Sequence, residues 1–325
     1  MYNAFYVKVP HDNDDDFNHH LNGEHIAGII PMHGYPLDFN FPWHDTLIPV
    51  SCDYLSIERC IVECISAGCD TIWISCTDSI TPMFKKRLGD YAHKIISGSS
   101  FDSKYMITER CMIVPIFFIQ IPPKDMTERD SFLWSMIHGA LMCSRVSKSF
   151  SNWIIPKKFY ISSPYGVNDP KEIEKYKKQI AGDSNVFVCD EFGKSIIDGK
   201  YLGFSIGLED VIRIKKYILT NYTKEWYKDE GGKLKRLDKL ERFSSRWITP
   251  QEVLTKINWK NSMHKVGVSW SYNINSWEAY CDYISSGHAK KLKRPETKIL
   301  QNSRKEKQGL IKRKLTPLIN DSETN

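Results

Sequence analysis

Between Pro31 and Pro49 the chain sets His33, Tyr35, Asp38, His44 and Asp45 on one loop, with Gly34 near its start. A histidine beside a carboxylate suits acid–base work, because imidazole exchanges a proton near neutral pH while the carboxylate orients it. His44 and Asp45 are therefore the candidate catalytic pair, and Asp38 and Asp45 the candidate oxygen ligands for a divalent cation. The plainer alternative is that His33 and His44 hydrogen-bond loop backbone and do nothing else. Trp43, beside Phe39 and Phe41, either folds onto the core or offers a ring to stack on a base or sugar. Upstream, His19, His20 and His25 stand near Asp14 to Asp16 without fixed ligand spacing, which reads as a solvated loop before it reads as a metal site.

A loop of this kind needs rigid flanks. Ile26 to Pro31 is a short apolar run suited to a strand. Leu55 to Ala67 puts Ile57, Cys60, Ile61, Cys64 and Ile65 on one helical face, with Asp53 as N-cap and Gly68 as terminator. Thr71 to Cys76 returns to strand. Strand, loop, helix and parallel strand in this order open an α/β sheet whose ligand site lies at the strand ends. Further on, Thr81 to Ile96 reads as an amphipathic helical stretch, and Met112 to Ile121 as a strand buried on both faces. Ser131 to Val146 is a helix, Lys158 to Ser162 a strand, Lys171 to Ile180 a charged exposed helix, Val186 to Cys189 a strand and Leu208 to Leu219 a helix. Residues 221–246 form a polar excursion around Gly231-Gly232. Thr249-Pro250-Gln251-Glu252 spells a capping box, and Trp277 to Ile284 is the last clear helix. The alternation predicts a three-layer α/β/α fold with a mostly parallel, mixed sheet. Residues 25–287 form the domain, 1–24 an N-terminal segment with an acidic loop, and 288–325 a basic tail.

The 325 residues, 41% apolar and 26% charged, have ample core for one such domain. No apolar run is long enough for a bilayer, and the N-terminus lacks the order of a secretory signal, so the cytoplasm is the expected location and no membrane partner is implied. Nine cysteines without a CxxC pair read as free thiols. Residues 289–315 hold eleven Lys or Arg against two Glu, +9 of a net +6, so the rest of the chain sums to −3. That tail can grip nucleic acid or a phosphorylated partner, although it interleaves no aromatics; a solvated extension is the alternative.

Several motifs along this frame resemble the sugar-nucleotide pyrophosphorylases, nucleotidyltransferases of the GT-A glycosyltransferase-like fold. Gly34 falls where the first glycine of their phosphate loop stands. Leu47-Ile48-Pro49-Val50 is similar to the L-x-P-V before their first helix, and Ala67-Gly68-Cys69-Asp70 with TIWIS to their turn into the second strand. Met136 to Leu141 resembles the helix bearing a nucleotide-proximal G-x-A run, and Asn273 to Tyr280 the D-x-G-T-P-E-x-Y segment. The resemblance spans residues 25 to about 285. It implies binding of a nucleotide or nucleotide-sugar by Met32, His33, Gly34, Tyr35, His138 and Gly139, with Lys200 toward the substrate. Mg²⁺ would be held through Asp38 and Asn273, and the reaction would be sugar-1-phosphate nucleotidyl transfer. The chain departs from the pattern at Pro36, Leu37 and Asp38, where glycine, Thr and Arg belong. It departs again at Trp43 to Asp45 in place of a catalytic Lys, and at Asn273 in place of a metal-binding Asp. A catalytically inactive relative that uses the fold for binding or assembly, or a GT-A glycosyltransferase, is the competing expectation.

Overall fold

Runs of β-branched and aromatic residues pair into one ten-stranded sheet. The computed structural model describes residues 3–9, 25–32, 43–96, 110–223, 226–229, 231–238, 241–242, 248–295 and 297–299. His33, Gly34, Tyr35 and Asp38, the acidic segment and the tail beyond residue 299 lie outside them. In chain order the strands are β1 (Asn3–Val9), β2 (Ile26–Pro31), β3 (Thr71–Cys76), β4 (Tyr91–Ile96), β5 (Arg110–Gln120), β6 (Lys158–Ile161), β7 (Asn185–Cys189), β8 (Phe204–Gly207), β9 (Met263–Gly267) and β10 (Thr297–Ile299). Their order across the sheet is β9-β7-β8-β6-β2-β3-β5-β4-β1-β10. β2 lies between two parallel neighbours, Ile29 facing Trp73 on one side and Ile161 on the other. β3 and β5 are also parallel, as are β7 and β9, whereas β8 runs antiparallel between β6 and β7. The expected mixed, mostly parallel sheet is present.

The helices are α1 (Ser56–Ser66), α2 (Thr81–Leu88), α3 (Pro123–Glu128), α4 (Phe132–Phe150), α5 (Lys177–Ala181), α6 (Leu208–Asn221), α7 (Pro250–Leu254), α8 (Trp277–Ser285) and α9 (Gly287–Lys291). Adjacent residues of β2 show how they are layered. A Cβ on Gly28 would lie 2.8 Å from Cys64 Sγ of α1, while one on Gly139 of α4 would lie 2.9 Å from Ile29 Cγ2 and 2.5 Å from Ser75 Oγ. Neighbouring strand residues point to opposite faces, so α1 and α4 cover opposite sides of the sheet, each close enough to require glycine. Ile57, Ile61 and Ile65 of α1 are fully buried, each contributing roughly 1.5–3 kcal/mol. Among the described residues no helix is long and apolar enough to cross a membrane.

Several local expectations are corrected. The stretch from Thr81 to Ile96 is helix only to Leu88; after Gly89 and Asp90 it becomes β4, which pairs antiparallel with the first half of β5. β5 changes partner near Pro115, since β4 holds residues 110–115 and β3 holds 116–120. Ile113 and Phe117 are exposed, so this strand is covered on one face and not on both. Pro170–Tyr176 winds as a 3-10 helix and only Lys177–Ala181 is α-helical; buried Ile173 and Ile180 draw this charged segment onto the body. The sheet also takes strands from either side of residues 25–287, β1 and β10 forming its far edge.

Candidate functional site

The connections leaving β2 and reaching β6 diverge: the chain runs from β2 to β3 and β5 on one side, then crosses back to β6 on the other. In open α/β sheets such a switch point is where a ligand crevice is expected, outside the carboxyl ends of the strands; here those ends are Met32, Ser162 and Ser163, all buried. Its floor rests on α1. Arg59 Nη1 donates to Glu63 Oε2 (2.7 Å) and to Asn168 Oδ1 (3.0 Å), and Nη2 donates to the Ser163 carbonyl (2.6 Å). Glu63 also accepts from the Tyr160 hydroxyl (2.8 Å) and from Ser162 Oγ (2.5 Å). Burial opposes the charge on Arg59, but the neighbouring Cys60 and Glu63 hold its pKa above the ordinary arginine value. Burial raises the Cys60 thiol to about 12, so it is no nucleophile. The network fixes residues 160–168 from below, and Ser56 Oγ adds a bond to the Pro164 carbonyl.

Above this floor three segments converge. Tyr165 and Tyr201 meet edge to face at 5.9 Å, and Tyr201 meets Phe132, in the first turn of α4, at 5.5 Å. Ser131 caps that helix, its Oγ accepting from Trp134 N (3.2 Å). Burial pushes the Tyr165 phenol well up, and the charges of Asp45, from the β2–α1 connection, and Asp130, just before α4, add to it. Two carboxylates distant in sequence thus act on one buried ring beside the start of a 19-residue helix. Among the described residues no three His, Cys, Asp or Glu side chains group as metal ligands.

The residues singled out in the sequence scatter around this crevice. Met32 is buried, its N–H extending the β3 ladder to the Ser75 carbonyl (3.2 Å). His44 caps the Asp45–Leu47 turn: its Nδ1 lies 2.9 Å from Thr46 Oγ1 and accepts from Thr46 N at 3.3 Å. That nitrogen is engaged by Thr46 within its own turn. His138 Nε2 lies 3.0 Å from the Gln120 carbonyl, and Gly139 faces the sheet. Lys200 Nζ is 3.7 Å from Asp190 Oδ2. Asn273, expected at the metal, is instead bound to backbone on both sides. Its Oδ1 accepts from Tyr201 N (2.9 Å) and its Nδ2 donates to the Gly199 carbonyl (3.0 Å). With both ends of its amide spent in this way, it holds the loop that presents Tyr201. Sequence reasoning missed Arg59, Glu63, Asp130, Tyr165 and Tyr201. Arg59 and Glu63, four apart, lie off the apolar stripe of α1; the packing of residues 162–176 over α1 buries them.

No family model matches this chain, and no curated protein matches its sequence. Among solved structures, it is similar to a putative glucose-1-phosphate thymidylyltransferase from Bacillus anthracis, in complex with a sucrose. The identity is 8%, covering 83% of this chain and 98% of that one, with a TM-score of 0.46. It is also similar to a UDP-glucose pyrophosphorylase complexed with UDP-glucose, at 9% identity over 80% and 97% of the two chains, with a TM-score of 0.42. A Mycobacterium tuberculosis protein in complex with manganese aligns at 9% identity over 81% and 99%, with a TM-score of 0.40.

Proposed function

We propose that this chain binds a nucleotide or nucleotide-sugar in the crevice at the carboxyl end of β2, and that its chemistry is sugar-1-phosphate nucleotidyl transfer. The observation that carries the reading is the switch point itself, where β2 leaves the sheet between parallel β3 and β6. The start of α4 beside Tyr201 adds the positive end of a helix dipole, which favours phosphate. In this reading the buried rings of Tyr165, Tyr201 and Phe132 pack beneath the site and hold together the segments that would meet a base or sugar. Asp45 and Asp130 are the carboxylates assigned to Mg²⁺, which when bound would neutralise the phosphates. Carboxylates facing a polyphosphate repel it unless a cation lies between, so nucleotide binding is expected to require the ion. His33, Gly34, Tyr35 and Asp38 belong to the proposal from the sequence resemblance, and the cytoplasm is the proposed location.

The test is direct. With Mg²⁺, a panel of nucleoside triphosphates and sugar 1-phosphates should release pyrophosphate. The accepted nucleotide should stabilise the fold by about 2.7 kcal/mol at a hundredfold excess over its dissociation constant. Asp45→Asn with Asp130→Asn should abolish the Mg²⁺-dependent part of that stabilisation. Absence of both turnover and stabilisation across the panel refutes the reading and leaves the inactive binding module in its place.

A further inference from the structure

We propose that the outer side of α6 carries a second, anion-binding site, separate from the crevice, that takes a phosphorylated small molecule with a flat apolar part. A groove of about 600 Å³ runs between α6 and the turn after α7, within the size range of small-molecule sites, about 300–1,000 Å³. Three cations face it, Arg213 and Lys216 from α6 and Lys256 from the turn, while Tyr217 and Ile257 give it apolar walls.

The charges are arranged for a guest rather than for the fold. Arg213 and Lys216 stand three apart on one helix, a spacing at which like charges repel. Lys256 adds a third charge across the groove. Among the described residues none of the three forms an ion pair, whereas Lys260, near the other end of α6, pairs with Glu209 at 3.8 Å. Attraction to the dipole of α6 does not account for Arg213 and Lys216, because it acts within the last turn and both precede it, whereas Lys256 sits just past the end of α7, where a cation is favoured. Arg213 is already aimed: its Nη1 donates to the Asn258 carbonyl across the groove (3.1 Å), which holds the guanidinium at the rim and leaves its other N–H groups to a ligand. Three cations without an ion pair around a groove match a diphosphate, and the Tyr217 ring with Ile257 matches a flat moiety attached to it.

The inference is independent of nucleotidyl transfer and is tested by titrating the full chain with ADP at low ionic strength, with pyrophosphate and adenosine as its two halves. ADP is expected to bind more tightly than either half. The charge reversal Lys216→Glu with Lys256→Glu should weaken ADP by roughly a hundredfold, about tenfold for each lost contact. Lys216→Arg with Lys256→Arg should retain it. Both lysines are exposed, so the variants are expected to melt as the parent does. If the charge-reversed chain binds ADP as tightly as the parent, all ADP sits elsewhere, for instance in the crevice, and the proposal is overturned. No ADP binding by the parent chain overturns it as well.

Discussion

Helix α1 carries charge on two sides. Toward β6, Arg59 and Glu63 meet at 2.7 Å with both side chains 1% exposed. Toward α2 and the segment after α9, Glu58 is equally buried and receives Arg87 Nε and Arg294 Nη2 on one oxygen, each at 2.8 Å. The same two arginines then reach out to Asp53, which is 69% exposed. The inner cluster is closed: its partners are core hydroxyls, the Asn168 amide, a loop carbonyl and each other, so no water replaces a lost member. The outer cluster is open at one end, where water can take over. Burial of the whole group, more than the count of contacts, therefore sets what an ion pair is worth here. The inner pair shapes the crevice floor, and the outer one ties the C-terminal segment to the helix that precedes β3.

The contrast is broken most sharply by Glu63→Ala. This change strands the Arg59 charge in the core and should cost about 3–5 kcal/mol in a denaturant titration. The double replacement Arg59→Met with Glu63→Leu removes the stranded charge and should lie closer to the parent than Glu63→Ala does, although the Tyr160 and Ser162 hydroxyls lose their acceptor. If the two losses simply add, the pair is not coupled and the contrast fails. Glu58→Ala comes next, at about 1–3 kcal/mol, because a buried acceptor is lost while Arg87 and Arg294 can turn to solvent. Faster proteolytic cutting around Lys290 to Arg294 would locate the effect at the C-terminal segment.

Asp53→Asn should be smallest, a few tenths of a kcal/mol at neutral pH. Its hydrogen bond from Arg87 holds the Asp53 carboxyl below the ordinary range against the opposing effect of burial, with the Arg294 charge adding to the lowering. A depressed folded pKa contributes stability that is present above the unfolded value, about pH 4, and lost as pH falls through the folded one. The gap between parent and variant should thus be level at neutral pH, close in acid and shrink with added salt. A gap that persisted in acid would show that the outer cluster does not depend on the Asp53 charge.

Much of the scaffold could be read from pattern. The alternation of apolar runs and helical stripes anticipated β2, α1, β3, α4, β6 and α6 in order, and Ser131 and Thr249 cap as their positions suggested. Local chemistry decides such features, since caps and stripes act within a few residues. The partner switch of β5 at Pro115 and the conversion of residues 91–96 to strand were not legible, because both depend on which strand lies alongside.

The candidate site divides the same way. The expectation of a ligand where the first strand gives way to its crossover came from the order strand, loop, helix, strand. Which side chains stand there did not. Asn273 matched a metal-ligand position by order along the chain, yet its amide spans two backbone groups of a loop over seventy residues away. The burial of Arg59 and Glu63 was not legible, because a helix of this length shows its own stripe and nothing of what covers its other side. By itself the sequence determined the periodicity and turn chemistry that make the layers. Tertiary structure alone decided which charges lost their water, because desolvation belongs to neighbours brought together from distant parts of the chain.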